Sequence, residues 1–323
     1  MSSRRHVLIR SLVAAVVAFV AANVIERAFI RAVAPTELDL TWISDVALAV
    51  PFGLAIYLWL HLKEARAELS HLEREQIVVD TQLSVAADIQ KRFLPILPET
   101  LDGMGWAARM RSASKIGGDF YDFVQVDPHV VLMIVGDIAG RGIPAALLLA
   151  STCTMFRMLA RDTREPAILL ERLSGALYAD HGGQPYVTGI ICSFNLQSRR
   201  LTYANAGHPP GVIFGSAGRR ALSVGGLPAG MFPNSTYQSE TIPLDEGDVG
   251  IILTDGITEL IEQDGAAVDD VIESSIAKIV SSVMPGPVCD QVMRLVRNLA
   301  EAGDPNIEPD DRTVLAFVVR AAA

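Results

Sequence analysis

Twenty residues, Val130 to Leu149, demand three backbone states in succession. Val130 to Val135 is an unbroken apolar run and predicts a buried strand. Gly136-Asp137-Ile138-Ala139-Gly140-Arg141-Gly142 is a glycine-punctuated turn holding one carboxylate. Pro144, followed by Ala145-Ala146-Leu147-Leu148-Leu149, predicts a helix with proline in its first turn. An aspartate leaving a buried strand on such a turn suits a hard cation, because glycine lets backbone approach a ligand closely. A single carboxylate cannot hold a metal, and a strand-end aspartate is by default a turn residue. The rest of the chain has to supply the partners.

Met104 to Met110 and Phe120 to Val126 predict strands. Asp127-Pro128-His129 folds the second back into Val130–Val135 as a hairpin, which brings Asp119 and Asp137 to one edge of a sheet. Helices are predicted over Pro144 to Ala160 and Pro166 to Asp180. Short antiparallel strands follow over Val187 to Phe194, Arg200 to Ala206 and Gly211 to Phe214. Asp248 to Leu253 is a further strand, running into Thr254-Asp255-Gly256 and so repeating the order strand, Asp, Gly, helix. A helix is predicted over Pro287 to Ala302, and Asp310-Asp311-Arg312-Thr313 leads into a last strand, Val314 to Val319. Strand-end carboxylates therefore recur at Asp119, Asp137, Asp255 and Asp310-Asp311. All-oxygen ligation suits Mg²⁺ or Mn²⁺ rather than zinc. Two such ions sharing a carboxylate would activate a bridging water and clamp a phosphate oxygen for in-line displacement. No Ser-His-Asp or cysteine nucleophile signature competes.

Val7 to Ile25 and Leu40 to Leu62 are apolar runs, each about 20 residues and long enough to cross a bilayer. Trp42, Tyr57 and Trp59 lie near the ends of the second, as interfacial anchors do. The expectation is a multi-pass hairpin in the inner (cytoplasmic) membrane, with spans at 7–25 and 40–62 and the remaining domain in the cytoplasm. Arg27 and Arg31 in the connection run against it. A cleaved signal peptide is the alternative for the first run, and a buried core helix for the second. From Leu62, residues Leu62, Leu69, Gln76, Leu83 and Gln90 recur every seven positions, as do Ala65, Leu72, Val79, Ala86 and Phe93. That pattern predicts a coiled-coil linker over 63–93 and a homodimer through the 62–93 helix; the alternative is a helix packing on its own domain. Pro95 and Pro98 end the helix and open a domain over 94–323. The formal net charge of -10 argues against a nucleic-acid partner. Cys153, Cys192 and Cys289 form no CxxC pair and read as reduced thiols.

Six motifs then occur in order: Gln90-x-x-Phe93-Leu94-Pro95, Gly117-Gly118-Asp119-Phe120-Tyr121-Asp122, Gly136 to Ala146, Asn205-Ala206-Gly207-His208-Pro209-Pro210, Thr254-Asp255-Gly256-Ile257-Thr258-Glu259 and Asp310-Asp311-Arg312-Thr313. Together they resemble the SpoIIE/RsbU-type serine/threonine phosphatases of the metal-dependent PPM superfamily, over about residues 85–320. The resemblance implies an α+β fold, an α-β-β-α sandwich of two mostly antiparallel sheets. It implies two divalent ions, Mn²⁺ or Mg²⁺. Asp137 would bridge them, with the Ile138 carbonyl as a further ligand. Asp119 and Asp255 would bind one ion each or through water, and Asp310 would be a ligand with Asp311 behind it. The implied substrate is a phosphorylated STAS-domain anti-sigma-factor antagonist, attacked by a metal-bridging hydroxide. Arg141 stands where many members have His, and either attracts phosphate or is a solvated turn residue. Ala229 and Arg312 also depart from common residues. No general acid stands out: His208 reads first as structural, and Arg109 or Lys115 are only guesses at a phosphate-binding cation. A non-catalytic membrane scaffold with this fold is an alternative. Gly117-Gly118-Asp119-Phe120 is also superficially similar to the GGDEF signature of nucleotide cyclases, but no Glu follows Asp119.

Overall fold

The computed structural model describes residues 41–98, 100–101, 103–216, 218–263 and 310–320, with scattered positions at 20–32 and residues 274, 294 and 298. The chain divides into two compact units, Met1–Val79 and Asp80–Ala323. A long helix, α1 (Thr41–Phe93), starts in the first and ends in the second. The order then runs β1 (Thr100–Leu101), β2 (Met104–Arg111), β3 (Phe120–Asp127), β4 (Val130–Ile138), α2 (Ile143–Leu159), α3 (Pro166–His181), β5 (Val187–Asn195) and β6 (Arg200–Ala206). It continues with β7 (Gly211–Gly215), β8 (Gly218–Leu222), β9 (Gly225–Gly226), β10 (Glu240–Pro243), β11 (Val249–Leu253), α4 (Asp255–Gln263) and β12 (Arg312–Val319).

Two sheets form, in the orders β1-β2-β12-β11-β7-β8 and β10-β6-β5-β4-β3, with β9 added in parallel to β6. Every other pairing is antiparallel. One core lies between the sheets, where Trp106, Phe194 and Phe317 meet with ring centroids 4.7–5.9 Å apart. The other lies between the β4-containing sheet and helices α2 and α3. Pro144 and Pro166 sit in the first turns of those helices, where a missing N–H costs nothing. Gly182 closes α3 in the left-handed conformation, with φ of 68°. On the other sheet α4 meets β12, and the helix expected over 287–302 lies almost wholly outside the described residues.

Two expectations change at the N-terminal end. Among the described residues no helix is long and apolar enough to cross a membrane. From Thr41 the run expected as the second span lies in the continuous α1, which carries Pro51 and runs on into the charged stretch after Leu62. The run 7–25 lies largely outside the described residues. The heptad seam also divides. Leu62, Leu69, Leu72 and Val79 are exposed, whereas Gln90 is buried and Phe93 packs on the helix-sheet core. Gln90 is a repeat position of the expected dimer seam. Its amide donates instead to the Gly117 carbonyl at 2.7 Å, since a buried amide must find a partner. From Asp80 onward the helix belongs to the sheet-containing unit.

Phe317 touches both other rings of the central aromatic cluster. Phe317→Ala should cost about 3–5 kcal/mol of stability. A urea midpoint lowered at unchanged slope would show it; an unmoved midpoint would mean that the inter-sheet core does not depend on this ring.

Candidate metal centre

Phe120 pairs with Gly136 across the β3–β4 hairpin, so Asp119 and Asp137 come to the same sheet edge. The Ile138 amide donates to the Gly118 carbonyl at 3.2 Å and holds the Gly117-Gly118 loop on the end of β4. A Cβ at Gly118 would lie 2.5 Å from Asp137 Oδ1 and 2.7 Å from the Ile138 carbonyl oxygen. Only glycine lets both oxygens approach that point.

Asp255 opens α4 directly after β11, and its carboxylate accepts the Gly256 amide at 2.8 Å. A helix N-terminus favours such an anion. Beside it, the Thr254 amide donates to the Thr313 carbonyl at 3.1 Å, and the Thr313 amide to Thr254 Oγ1 at 2.9 Å. Thr254 Oγ1 in turn donates to Asp119 Oδ2 at 2.7 Å. The ends of β11 and β12 thereby fix Asp119, whose buried Oδ1 has no hydrogen-bond partner among the described residues.

The closing aspartates have different surroundings. Asp311 is buried, its Oδ1 accepting the Ala113 amide at 2.7 Å and its Oδ2 the Gly118 amide at 2.5 Å. Asp310 is more open; its Oδ1 accepts the Asp311 amide at 2.8 Å and the Arg141 guanidinium at 3.1 Å. The carboxylates feel one another. Burial first, then repulsion from Asp255, Asp311 and Asp310, pushes Asp137 up to about 7. Asp255 is raised by burial and by Asp310 and Asp311, and Asp119 is raised well above the usual range, chiefly by burial.

A cavity of about 420 Å³ opens here, walled by Asp137, Asp255, Tyr186, Thr188 and the Gly207-His208-Pro209 turn. An all-oxygen donor set, mutually repelling carboxylates, an unpartnered buried oxygen on Asp119 and the glycine cradle at Gly118 fit hard divalent cations. Among the described residues no three His, Cys, Asp or Glu side chains are grouped tightly enough to ligate one ion, so the acids are neighbours without closing on a single point.

The other candidates resolve as follows. His208 is clamped through its backbone by the Asn205 amide, at 2.8 and 2.9 Å. Its Nδ1 lies 2.8 Å from the Pro209 carbonyl, which can only accept, so the proton sits on Nδ1. Burial lowers its pKa to about 4, leaving Nε2 without a proton to give at neutral pH. Arg109 and Lys115 line a separate groove with Lys91 and Tyr121, and Lys115 pairs with Asp80 at 3.0 Å. The structure brings neither to the acidic cavity. Ala229 packs in the helix-sheet core and bridges to Val187, and Arg312 is a buried strand residue opposite Arg111. Cys153 and Cys192 are buried free thiols. Thr254 and the amide-binding role of Asp311 escaped the sequence reading.

The family described as Stage II sporulation protein E (SpoIIE) matches residues 127–320. The phosphoserine phosphatase RsbU of Bacillus subtilis (strain 168) is 23% identical over 69% of this chain and 65% of its own length. The phosphoserine phosphatase RsbP of the same organism is 28% identical over 55% of this chain and 45% of its own. The chain thus spans less than two thirds of each of these relatives. Among solved structures, the SiaA-PP2C domain of Pseudomonas aeruginosa superposes with a TM-score of 0.61 at 22% identity, over 75% of this chain and 98% of that one. That likeness concerns the fold.

Because Asp137 is raised from 3.8 to about 7, the metal-free fold holds a proton that the unfolded chain releases in that window. This stabilisation is full below pH 4 and is lost as pH rises to 7 and beyond. In EDTA, Asp137→Asn should therefore gain about 4 kcal/mol at pH 7 and close to nothing at pH 4. Urea unfolding across that range measures it, and an unchanged pH slope would remove Asp137 as the source.

Proposed function

As the chain belongs to the SpoIIE family, we propose that it is a metal-dependent phosphatase of phosphoserine or phosphothreonine in proteins. The observation that carries this is the set of neighbouring carboxylates, Asp137, Asp255, Asp310 and Asp311, in which burial first and mutual repulsion second raise Asp137 beside a cavity. Such a cluster is stable when cations neutralise it, and oxygen-bound dications with an adjoining cavity suit phosphate-ester hydrolysis.

In this reading Asp137, the Ile138 carbonyl, Asp255 and Asp310 would hold the Mn²⁺ or Mg²⁺ ions, and Asp119 would serve directly or through water. Asp311 serves from behind, because both its oxygens already hold backbone amides. When bound, the ions supply Lewis-acid polarisation of the phosphate and a water acidic enough to attack. The chain contributes position: Gly118 leaves room for the carboxylate, Thr254 orients Asp119, and the neutral His208 shapes the wall without donating a proton. The relatives RsbU and RsbP carry the name phosphoserine phosphatase, which favours a phosphoserine protein, and a STAS-domain anti-sigma-factor antagonist is the proposed substrate. The exposed stripe Leu62, Leu69, Leu72 and Val79 is the part of α1 left for a homodimer, narrower than the 62–93 expected.

With Mn²⁺ the full chain should release phosphate from a phosphorylated STAS protein, and EDTA should stop it. Asp137→Ala should lower kcat at least about a thousandfold, since metal polarisation is worth several kcal/mol in the transition state. Turnover indifferent to both EDTA and the substitution would sink the proposal. A mass corresponding to a monomer at every concentration would remove the dimer.

A further inference from the structure

We propose that Arg141 exchanges between two anions: the Asp310 carboxylate when no divalent ion is bound, and the substrate phosphate when Asp310 ligates one. This inference rests on the phosphatase reading above.

The turn that carries Arg141 is fixed at both ends. The Ala139 amide donates to the Tyr186 carbonyl at 2.9 Å, and the Gly142 carbonyl accepts the Ala146 amide at 3.1 Å. Between these anchors Arg141 stands at the apex, flanked by Gly140 with φ +120° and Gly142 with φ +81°. A Cβ at either glycine would meet nothing, so backbone conformation rather than space calls for glycine there. The tight turn points its one long side chain at the acidic cluster.

The Arg141–Asp310 pair is built to be exchanged. Its side chains are 60% and 42% exposed, and an ion pair so open to water is weak. The contact uses one terminal guanidinium nitrogen. A guanidinium offers five N–H donors in a planar fork that can engage two oxygens of a phosphate, whereas the Asp310 contact uses one nitrogen. Asp310 does not need Arg141 for its orientation, because the same Oδ1 also accepts the Asp311 amide.

The charges order the exchange. A dication at Asp310 cancels the negative charge that holds the guanidinium there. A phosphomonoester brings about two negative charges to the same rim and replaces it with a bidentate partner. Arg141 thus opposes metal binding in the resting protein and anchors phosphate in the loaded one.

The test uses Mn²⁺ calorimetry on the full chain without phosphate, then inhibition by inorganic phosphate and hydrolysis of a phosphoserine peptide at saturating Mn²⁺. Arg141→Ala should bind Mn²⁺ more tightly, by up to about fivefold, as expected for releasing an exposed ion pair. The same variant should raise the peptide KM and the phosphate inhibition constant about tenfold, with kcat moving less. Arg141→Lys should restore wild-type Mn²⁺ affinity and recover only part of the KM, having charge without the fork. A purely structural arginine would not tighten metal binding when removed. Unchanged affinity for Mn²⁺ and phosphate, weaker Mn²⁺ binding by Arg141→Ala, or tighter Mn²⁺ binding with unchanged phosphate inhibition would each overturn the exchange. A wild-type chain that binds no Mn²⁺ would overturn the phosphatase reading itself, before any variant is compared.

Discussion

The site depends on how the buried Asp311 carboxylate is satisfied. A buried carboxylate must have its lone pairs filled, and Asp311 fills them with the amides of Ala113 and Gly118. The glycines around it yield to this arrangement. A Cβ at Gly117 would fall 2.5–2.8 Å from the Asp311 carboxyl group, and one at Gly256 would fall 2.1 Å from its carbonyl oxygen. The irregular loop held in this way presents the Gly118 carbonyl to Ile138 and the Gly117 carbonyl to Gln90. One side chain therefore sets Asp119, the end of β4 and the last turn of α1 in register with one another.

What was legible in the sequence was local. The apolar run, glycine turn and proline-led helix of Val130–Leu149 became β4 and α2, and the same order after Val249 became β11 and α4. Steric and solvation rules acting over a few residues decide those elements. The hairpin register that joins Asp119 to Asp137 follows from a short turn, and it too could be read. The satisfaction of Asp311 rests on amides 198 and 193 residues away, and no pattern along the chain reports such partners. Nor does a heptad repeat say what its apolar face meets. At Gln90 and Phe93 it meets the protein's own domain, while at Leu62, Leu69 and Leu72 it stays exposed. The short strands β8 and β10 escaped notice because one carries Arg219-Arg220 and the other ends on Pro243, features of edge strands rather than apolar runs.

The aromatic cluster and the helix-sheet core explain how like charges can be held together. Asp137 and Asp255 leave strands whose residues are almost all buried, so repulsion between the carboxylates works against two packed layers rather than against loops. The Thr254–Thr313 exchange of hydrogen bonds ties β11 to β12 where Asp255 and Asp311 emerge. A second clamp acts farther from the cavity, where Arg157 joins Asp122 to the Phe93 carbonyl.

β4 has a consequence for how such a scaffold can diversify. Leu132, Ile134 and Ile138 lie in one core, and Val131, Met133 and Val135 lie in the other. Any change of volume along this strand is felt on two fronts, and a compensating change in one core does nothing for the other. Lineages descending from it would therefore drift slowly along β4. The turn from Ala139 to Gly142 is restrained differently: open space adjoins Gly140 and Gly142, but both hold positive φ. Packing in two cores thus restrains the strand, and backbone conformation restrains the turn that it delivers.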